Sequence, residues 1–250
     1  MEDEKMPQQA NVSVAVPSTA LVDIDPAIKE MLENVLHFGR RKSRQHPKMK
    51  PYIFGIRNNV SIIDLEQTKT KLNEALGYLT GVVLDGKIIL FVDTRPSTRE
   101  ETRKVAEELG MPYVVERWSG GTITNWKTIS SRVEYLKGLE AKMKSEEWDK
   151  YTKKERYDME EEARKLNIFW GGVKGMGNLP DAIFVVDMKE NYLAIKEARM
   201  KGIKVVAIAE TNVNPEDADY PIPANGDALC SVKYILNKIK GAIAEGKSKK

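Results

Sequence analysis

Ile88-Ile89-Leu90-Phe91-Val92 is an unbroken apolar run, and its reading decides the fold. A strand with one wet face alternates apolar and polar residues. A run without alternation belongs to a strand covered on both faces, as in a parallel sheet. Ala182-Ile183-Phe184-Val185-Val186 repeats the pattern, and Tyr113-Val114-Val115 and Val205-Val206-Ala207-Ile208 add two shorter strands. Helical spacing fills the intervals. Val105, Ala106 and Leu109 precede Gly110, and Leu193, Ala194, Ile195 and Ala198 precede Gly202. A last helix carries Leu229, Val232, Ile235, Leu236 and Ile239. Short buried strands joined by helices predict an α/β protein, a parallel sheet with helices on both faces.

The pattern changes on either side of the first strand. Towards the N-terminus, Asp64 with Gln67 resembles a capping box opening a helix through Leu65, Leu72, Leu76 and Leu79. Before it, Tyr52-Ile53-Phe54-Gly55-Ile56 and Val60-Ser61-Ile62-Ile63 flank Asn58-Asn59, which predicts a hairpin with an asparagine turn. A first helix is expected from the Asp25-Pro26 cap through Ile28, Met31, Leu32, Val35 and Leu36 to Gly39. Towards the C-terminus, far more chain lies between the second and third strands than one crossover needs. Ile129, Val133, Leu136 and Met143 form one apolar stripe. Thr152 with Glu155 starts another helix, through Tyr157, Ala163 and Leu166. Narrow stripes with mixed-charge flanks predict an inserted antiparallel helical hairpin.

The net charge is +3, so basic character is local. It concentrates in Arg40, Arg41, Lys42, Arg44, Lys48 and Lys50, with no acid between them. Like charges this dense suit a row of phosphates, the alternative being a solvated loop. Phe38 and Tyr52 flank the run, and Pro47 and Pro51 stiffen it. The single Cys230 excludes an internal disulfide and a cysteine zinc cluster, and fits a reducing compartment. No apolar run approaches the roughly 18–20 residues of a membrane span, and the acidic start Glu2-Asp3-Glu4 does not resemble a signal peptide. The expectation is a cytoplasmic protein.

Two loops could hold an anion. Arg117-Trp118-Ser119-Gly120-Gly121-Thr122-Ile123-Thr124-Asn125 follows a strand and precedes a helix that begins near Lys127. Its glycines would let a phosphate approach, and the helix N-terminus would favour it. The loop could cradle a phosphorylated metabolite or an RNA backbone, or it could be a capped turn. Asp93-Thr94-Arg95-Pro96-Ser97-Thr98 contains no glycine, which argues against a dinucleotide fingerprint and a P-loop. Arg95 nevertheless stands at the carboxyl end of a strand, as a candidate phosphate contact. His37 reads as a packed histidine, and His46 could reach a phosphate or ribose. Neither has a carboxylate or cysteine at a metal-ligand spacing. No serine, cysteine or histidine stands in a triad-like context.

Several blocks, in order, resemble the family of the second protein of the small ribosomal subunit in its bacterial form. They are His37-Phe38-Gly39, Pro47-Lys48-Met49-Lys50-Pro51-Tyr52-Ile53-Phe54-Gly55, Ile62-Ile63-Asp64-Leu65 and Arg117 through Asn125. Leu179-Pro180-Asp181-Ala182, Ala207 through Asn212, and Tyr220-Pro221-Ile222-Pro223-Ala224-Asn225 complete the set. The resemblance implies a flavodoxin-like parallel sheet with the inserted hairpin. It implies a non-enzymatic constituent of the ribosome that binds small-subunit rRNA near the head–body junction, touches neighbouring ribosomal proteins and helps anchor ribosomal protein one. It implies no DNA or membrane partner, and no cofactor beyond Mg2+ shared with rRNA.

The expected division is a flexible tail at 1–24, an rRNA-binding α/β domain at 25–125 and 169–243, the hairpin at 126–168 and a basic tail at 244–250. Candidate RNA contacts are Arg40, Arg41, Lys42, Arg44, His46, Lys48, Lys50, Arg95, Arg117, Trp118, Gly120, Gly121, Thr122, Asn125 and Lys127. The chain departs from the family where Arg40 replaces a second histidine, which puts in doubt any ion bound there. Gln45-His46 replaces Trp-Asn, and Ser119 replaces a leucine. The rival class is an α/β enzyme acting on a phosphorylated sugar or nucleotide, and the third is a free-standing RNA chaperone.

Overall fold

The computed structural model describes residues 25–248. The expected tail at 1–24, with Lys249 and Lys250, lies outside them. In chain order the elements begin with α1 (Pro26–Glu33), β1 (Phe38–Arg41), β2 (Ile53–Arg57), β3 (Val60–Ile63) and α2 (Leu65–Leu84). β4 (Ile89–Val92), α3 (Arg99–Glu108) and β5 (Tyr113–Val114) follow, then α4 (Trp126–Met143) and α5 (Lys153–Trp170). β6 (Ala182–Val185), α6 (Tyr192–Met200), β7 (Lys204–Ala209), β8 (Tyr220–Pro223) and α7 (Leu229–Ser248) complete the chain.

Five strands form one all-parallel sheet in the order β5-β4-β6-β7-β8. Numbered along the chain this is 2-1-3-4-5, the flavodoxin-like order. The apolar runs lack alternation because both of their faces are covered. Ile89, Phe91, Ala182, Phe184, Val206 and Ile208 face one core, with Leu79 and Val83 of α2, Ala106 of α3, and Ile235 and Ile239 of α7. Leu90, Val92, Ile183, Val185, Val205 and Ala207 face the other, with Ile129 and Val133 of α4 and Ile195 and Ala198 of α6. β8 was not foreseen as a strand. Its prolines, Pro221 and Pro223, have no N–H to donate, and its place at the sheet edge tolerates that.

A second, three-stranded antiparallel sheet has the order β1-β3-β2. Its hairpin turn is the expected asparagine pair, with Asn58 at φ 49° and Asn59 at φ 61°. Two successive left-handed residues make the turn that matches strand twist. The first helix is shorter than expected. It ends at Glu33, Val35 turns the chain at φ 62°, and Phe38–Arg41 becomes β1. Gly39 is therefore a packing glycine, because a Cβ there would collide with the Thr211 side chain and crowd the Ser61 carbonyl. Asp64 caps α2 by accepting from the Glu66 amide at 3.0 Å. The Gln67 side chain donates to the Asp64 carboxylate at 3.2 Å and does not accept from the cap amide, since the Asp64 N–H donates to the Tyr52 carbonyl, so the reciprocal box does not close.

α4 and α5 form the inserted hairpin, each 18 residues or about 27 Å long. The Thr152–Glu155 capping box is present. Leu136, Leu139 and Ala163 make a small separate core with Met143, Met159 and Leu166. Ile129 and Val133 instead belong to the sheet core, so a cut at residue 126 runs through that core. Removing 126–168 should cost about 3–6 kcal/mol, from two buried aliphatic side chains at ~1.5–3 kcal/mol each. Replacing only 141–157 by a short Gly-Ser linker should leave the denaturation midpoint close to that of the full chain. Equal midpoints for both deletions would show that the root of α4 is not core.

α7 continues through the expected tail as far as Ser248. Ile243 and Gly246 are buried, and the Lys247 ammonium donates to the Leu109 carbonyl. Among the described residues no helix is long and apolar enough to cross a membrane.

Candidate nucleic-acid interface

The basic run is ordered. Arg40 and Arg41 lie in β1, Lys42–Arg44 form a 3-10 turn, and Pro47–Tyr52 form a second one around the fully buried Met49. Thr211, just beyond β7, holds the run at its start and its middle. Its hydroxyl accepts from the Arg40 amide and its carbonyl from the His46 amide, both at 2.8 Å. His46 caps the second turn, its Nδ1 accepting from the Lys48 amide at 3.3 Å, so this side chain has a structural task.

The charges divide into two sets. Lys48 pairs with Glu216, and Arg40 pairs with Glu210 at 2.8 Å and Asp227 at 2.5 Å. The expectation of unopposed charge therefore fails for these two. Arg41, Lys42, Arg44 and Lys50 are exposed, and among the described residues they make no ion pair.

The crevice at the carboxyl ends of the strands is where an open α/β sheet usually takes its ligand, at the switch between the first and third strands. Here that switch lies between β4 and β6, and Arg95 fills it. Its guanidinium pairs with Asp187 after β6 and with Asp227, donates to the Gly226 carbonyl at 2.9 Å, and lies 3.7 Å from Glu210 after β7. Arg95 is thus an internal counter-ion, a correction to its reading as a phosphate contact. Burial pushes the Glu210 carboxyl up, and neighbouring Asp227 adds to this, while Arg40 and Arg95 oppose it. Asp93 beside them is also raised by burial, although the Thr102 hydroxyl donates to it at 2.8 Å. Arg40 stands where the family's histidine was expected and supplies positive charge to the same acids. Among the described residues no group of three or more histidine, cysteine, aspartate or glutamate side chains is placed to hold a metal ion.

The glycine loop does bind an anion, and the anion is the chain's own. The Glu197 carboxylate of α6 accepts from the amides of Gly121 (2.8 Å), Ile123 (3.0 Å) and Thr124 (3.0 Å). It also accepts from the Thr124 hydroxyl at 3.0 Å and the Trp118 indole N–H at 3.1 Å. Burial would raise the Glu197 carboxyl, but these donors together hold it below the ordinary glutamate value of 4.5.

This corrects several expectations. Trp118 is buried and offers no stacking surface, and the Thr122 hydroxyl is turned inward onto the Ser119 carbonyl at 2.6 Å. Gly121 has φ +91°, so any side chain there strains the backbone whatever the loop binds. Arg117, Gly120, Asn125 and Lys127 remain exposed. Glu197 was missed, yet a signal existed: it lies three residues after Ala194 on the apolar stripe of α6, where a glutamate has no other reason to stand.

A sheet whose crevice and glycine loop are both filled by its own side chains is built as a scaffold with a cationic rim. The Ribosomal protein S2 family matches residues 31–246. The small ribosomal subunit protein uS2 of Dehalococcoides mccartyi is 42% identical over 221 residues, covering 88% of this chain and 90% of the relative. Those of Pseudoalteromonas atlantica and Geotalea uraniireducens are 44% and 41% identical, over 89% and 88% of this chain and 92% and 86% of the relatives. The chain belongs to the Ribosomal protein S2 family. It is a structural component of the small ribosomal subunit and not an enzyme.

Proposed function

We propose that the chain is held on small-subunit rRNA by phosphate contacts from Arg41, Lys42, Arg44 and Lys50, with Arg117 and Lys127 as further contacts. The observation that carries this is the division of the basic run. Arg40 and Lys48 are neutralised internally, whereas these four cations are exposed on an ordered stretch. Cations on an ordered stretch with no counter-charge among the described residues favour a polyanion, and rRNA phosphates are the polyanion a ribosomal protein meets. The reading needs no cofactor, and any Mg2+ at the contact would be shared with rRNA. A place near the head–body junction and a part in anchoring ribosomal protein one are supported by the family resemblance. The projecting hairpin, with Tyr157 exposed at 66%, offers a surface for a neighbouring protein.

The test is salt dependence. The log of affinity for small-subunit rRNA should fall linearly with log salt. Arg41→Ala with Arg44→Ala should flatten the slope by about 1.5 units, the loss of two phosphate contacts. Lys48→Ala should leave the slope nearly unchanged. An unchanged slope in the double variant would reduce the run to solvated surface. Failure of the chain to sediment with small subunits after a moderate-salt wash would favour the RNA-chaperone reading. Cleavage of rRNA by a reagent tethered at Arg44→Cys would test the junction, and loss of protein one from subunits lacking this chain would test the anchoring.

A further inference from the structure

Beside the start of α6 lies a hollow of about 220 Å3. Met188, Ile195 and Val213 line it with apolar surface, Tyr192 with an aromatic ring, and Lys189 and Asn214 with polar groups. Asp217 also lines it, but its carboxylate is engaged by Arg199 at 2.7 Å. Tyr192 is the first residue of α6 and stands off the stripe that buries Ala194, Ile195 and Ala198. It is 55% exposed, and its hydroxyl has no hydrogen-bond partner among the described residues. Lys196 lies one turn further on the same helix face. Lys189 and Lys196 are both exposed and make no ion pair among the described residues, and Glu190 does not line the hollow. The Asn214 Oδ1 accepts from the Glu216 amide at 3.2 Å, which leaves its Nδ2 as a donor without a partner among the described residues.

Both cationic groups of the interface adjoin this spot. On one side Lys48 of the basic run pairs with Glu216, two residues from Asn214. On the other, a Cβ on Gly120 would stand 3.7 Å from Leu193, so the glycine loop that carries Arg117 lies against the start of α6. The hollow is smaller than the roughly 300–1,000 Å3 that encloses a metabolite. An open aromatic face among unpaired cations suits one flat ring carried on a polyanion. We propose that Tyr192 and this hollow take an unpaired base of the rRNA. The base stacks on the Tyr192 ring, Asn214 donates to its edge, and the flanking phosphates meet Lys189 and Lys196. The proposal rests on the rRNA reading above and adds a base contact to an interface of phosphate contacts.

The affinity of the full chain for deproteinised small-subunit rRNA tests it, with the salt slope measured alongside. Tyr192→Ala and Tyr192→Leu should each weaken binding about 5- to 150-fold, the worth of one stacked base, and leave the slope unchanged, because a stack releases no counter-ions. Tyr192→Phe should bind as the wild type does, and the denaturation midpoints of Tyr192→Leu and Tyr192→Phe should match it. Lys189→Ala with Lys196→Ala should flatten the slope by about 1.4 units, the value for two phosphates of a single strand. Ultraviolet irradiation of the wild-type complex should join Tyr192 to an unpaired nucleotide. Equal affinity of Tyr192→Leu and wild type for the naked rRNA would overturn the proposal. So would a Tyr192→Leu defect confined to assembled subunits, since a neighbouring protein would then cover the ring. Failure of the phosphate reading is seen separately, as an unchanged slope for Arg41→Ala with Arg44→Ala.

Discussion

Glu197→Ala should destabilise the protein by about 3–5 kcal/mol in denaturant unfolding, one of the largest effects of any single change away from the sheet. The side chain is 4% exposed and accepts five hydrogen bonds, four of them from the loop 121–124 and the indole of Trp118 through separate donor atoms and one from the Thr124 hydroxyl. Its removal leaves buried amides without acceptors, at ~1–3 kcal/mol for each group left unsatisfied. Glu197→Gln should be nearly as damaging, because the new NH2 would face amide donors. The pH dependence gives a second readout. The carboxyl lies below its ordinary value in the folded chain, so its contribution is fully present above about pH 4.5 and is lost as pH falls through the folded value. The wild type should therefore lose stability on acidification more steeply than Glu197→Gln. Parallel pH curves, or a cost under about 1 kcal/mol, would mean that the loop amides have other partners.

Arg95→Ala should cost about 3–5 kcal/mol, the usual result of removing one partner from a buried ion pair. Asp187 and Glu210 are 3% and 7% exposed in their side chains, and Asp227 closes the cluster. Without Arg95, Arg40 alone remains to balance these acids. Glu210, whose carboxyl burial raises and Arg95 opposes, would then hold its proton more tightly in the folded chain than in the unfolded one. A carboxyl raised on folding costs stability above its folded value and nothing below its unfolded value. The deficit of Arg95→Ala relative to wild type should accordingly shrink as pH falls towards about 4. Arg95→Lys should restore part of the stability and no more, since an ammonium cannot reproduce the branched contact. A deficit independent of pH would show that packing, and not charge, is what Arg95 contributes.

Neither residue stood out in the sequence as a structural one, and the reason is sequence separation. The local rules performed well where the physics is local. Unbroken apolar runs became buried strands, Asn58-Asn59 became a left-handed turn, and Thr152 with Glu155 became a capping box. They failed at β1, because Phe38-Gly39-Arg40-Arg41 has no strand pattern of its own and is held by Thr211. They failed at the glycine loop, whose anion comes from a helix more than 70 residues further along the chain.

The sequence alone determined that this is a parallel α/β chain with an inserted helical hairpin, since the periodicities of buried strands and amphipathic helices are written within each element. It also carried enough ordered blocks to resemble the family to which the chain belongs. Only the tertiary structure decided which charges are free. Arg40 and Arg41 are neighbours with the same side chain, yet Arg40 meets Glu210 and Asp227 while Arg41 points to open solvent. An ion pair is set by a few ångströms of space, and those ångströms join residues 170 positions apart.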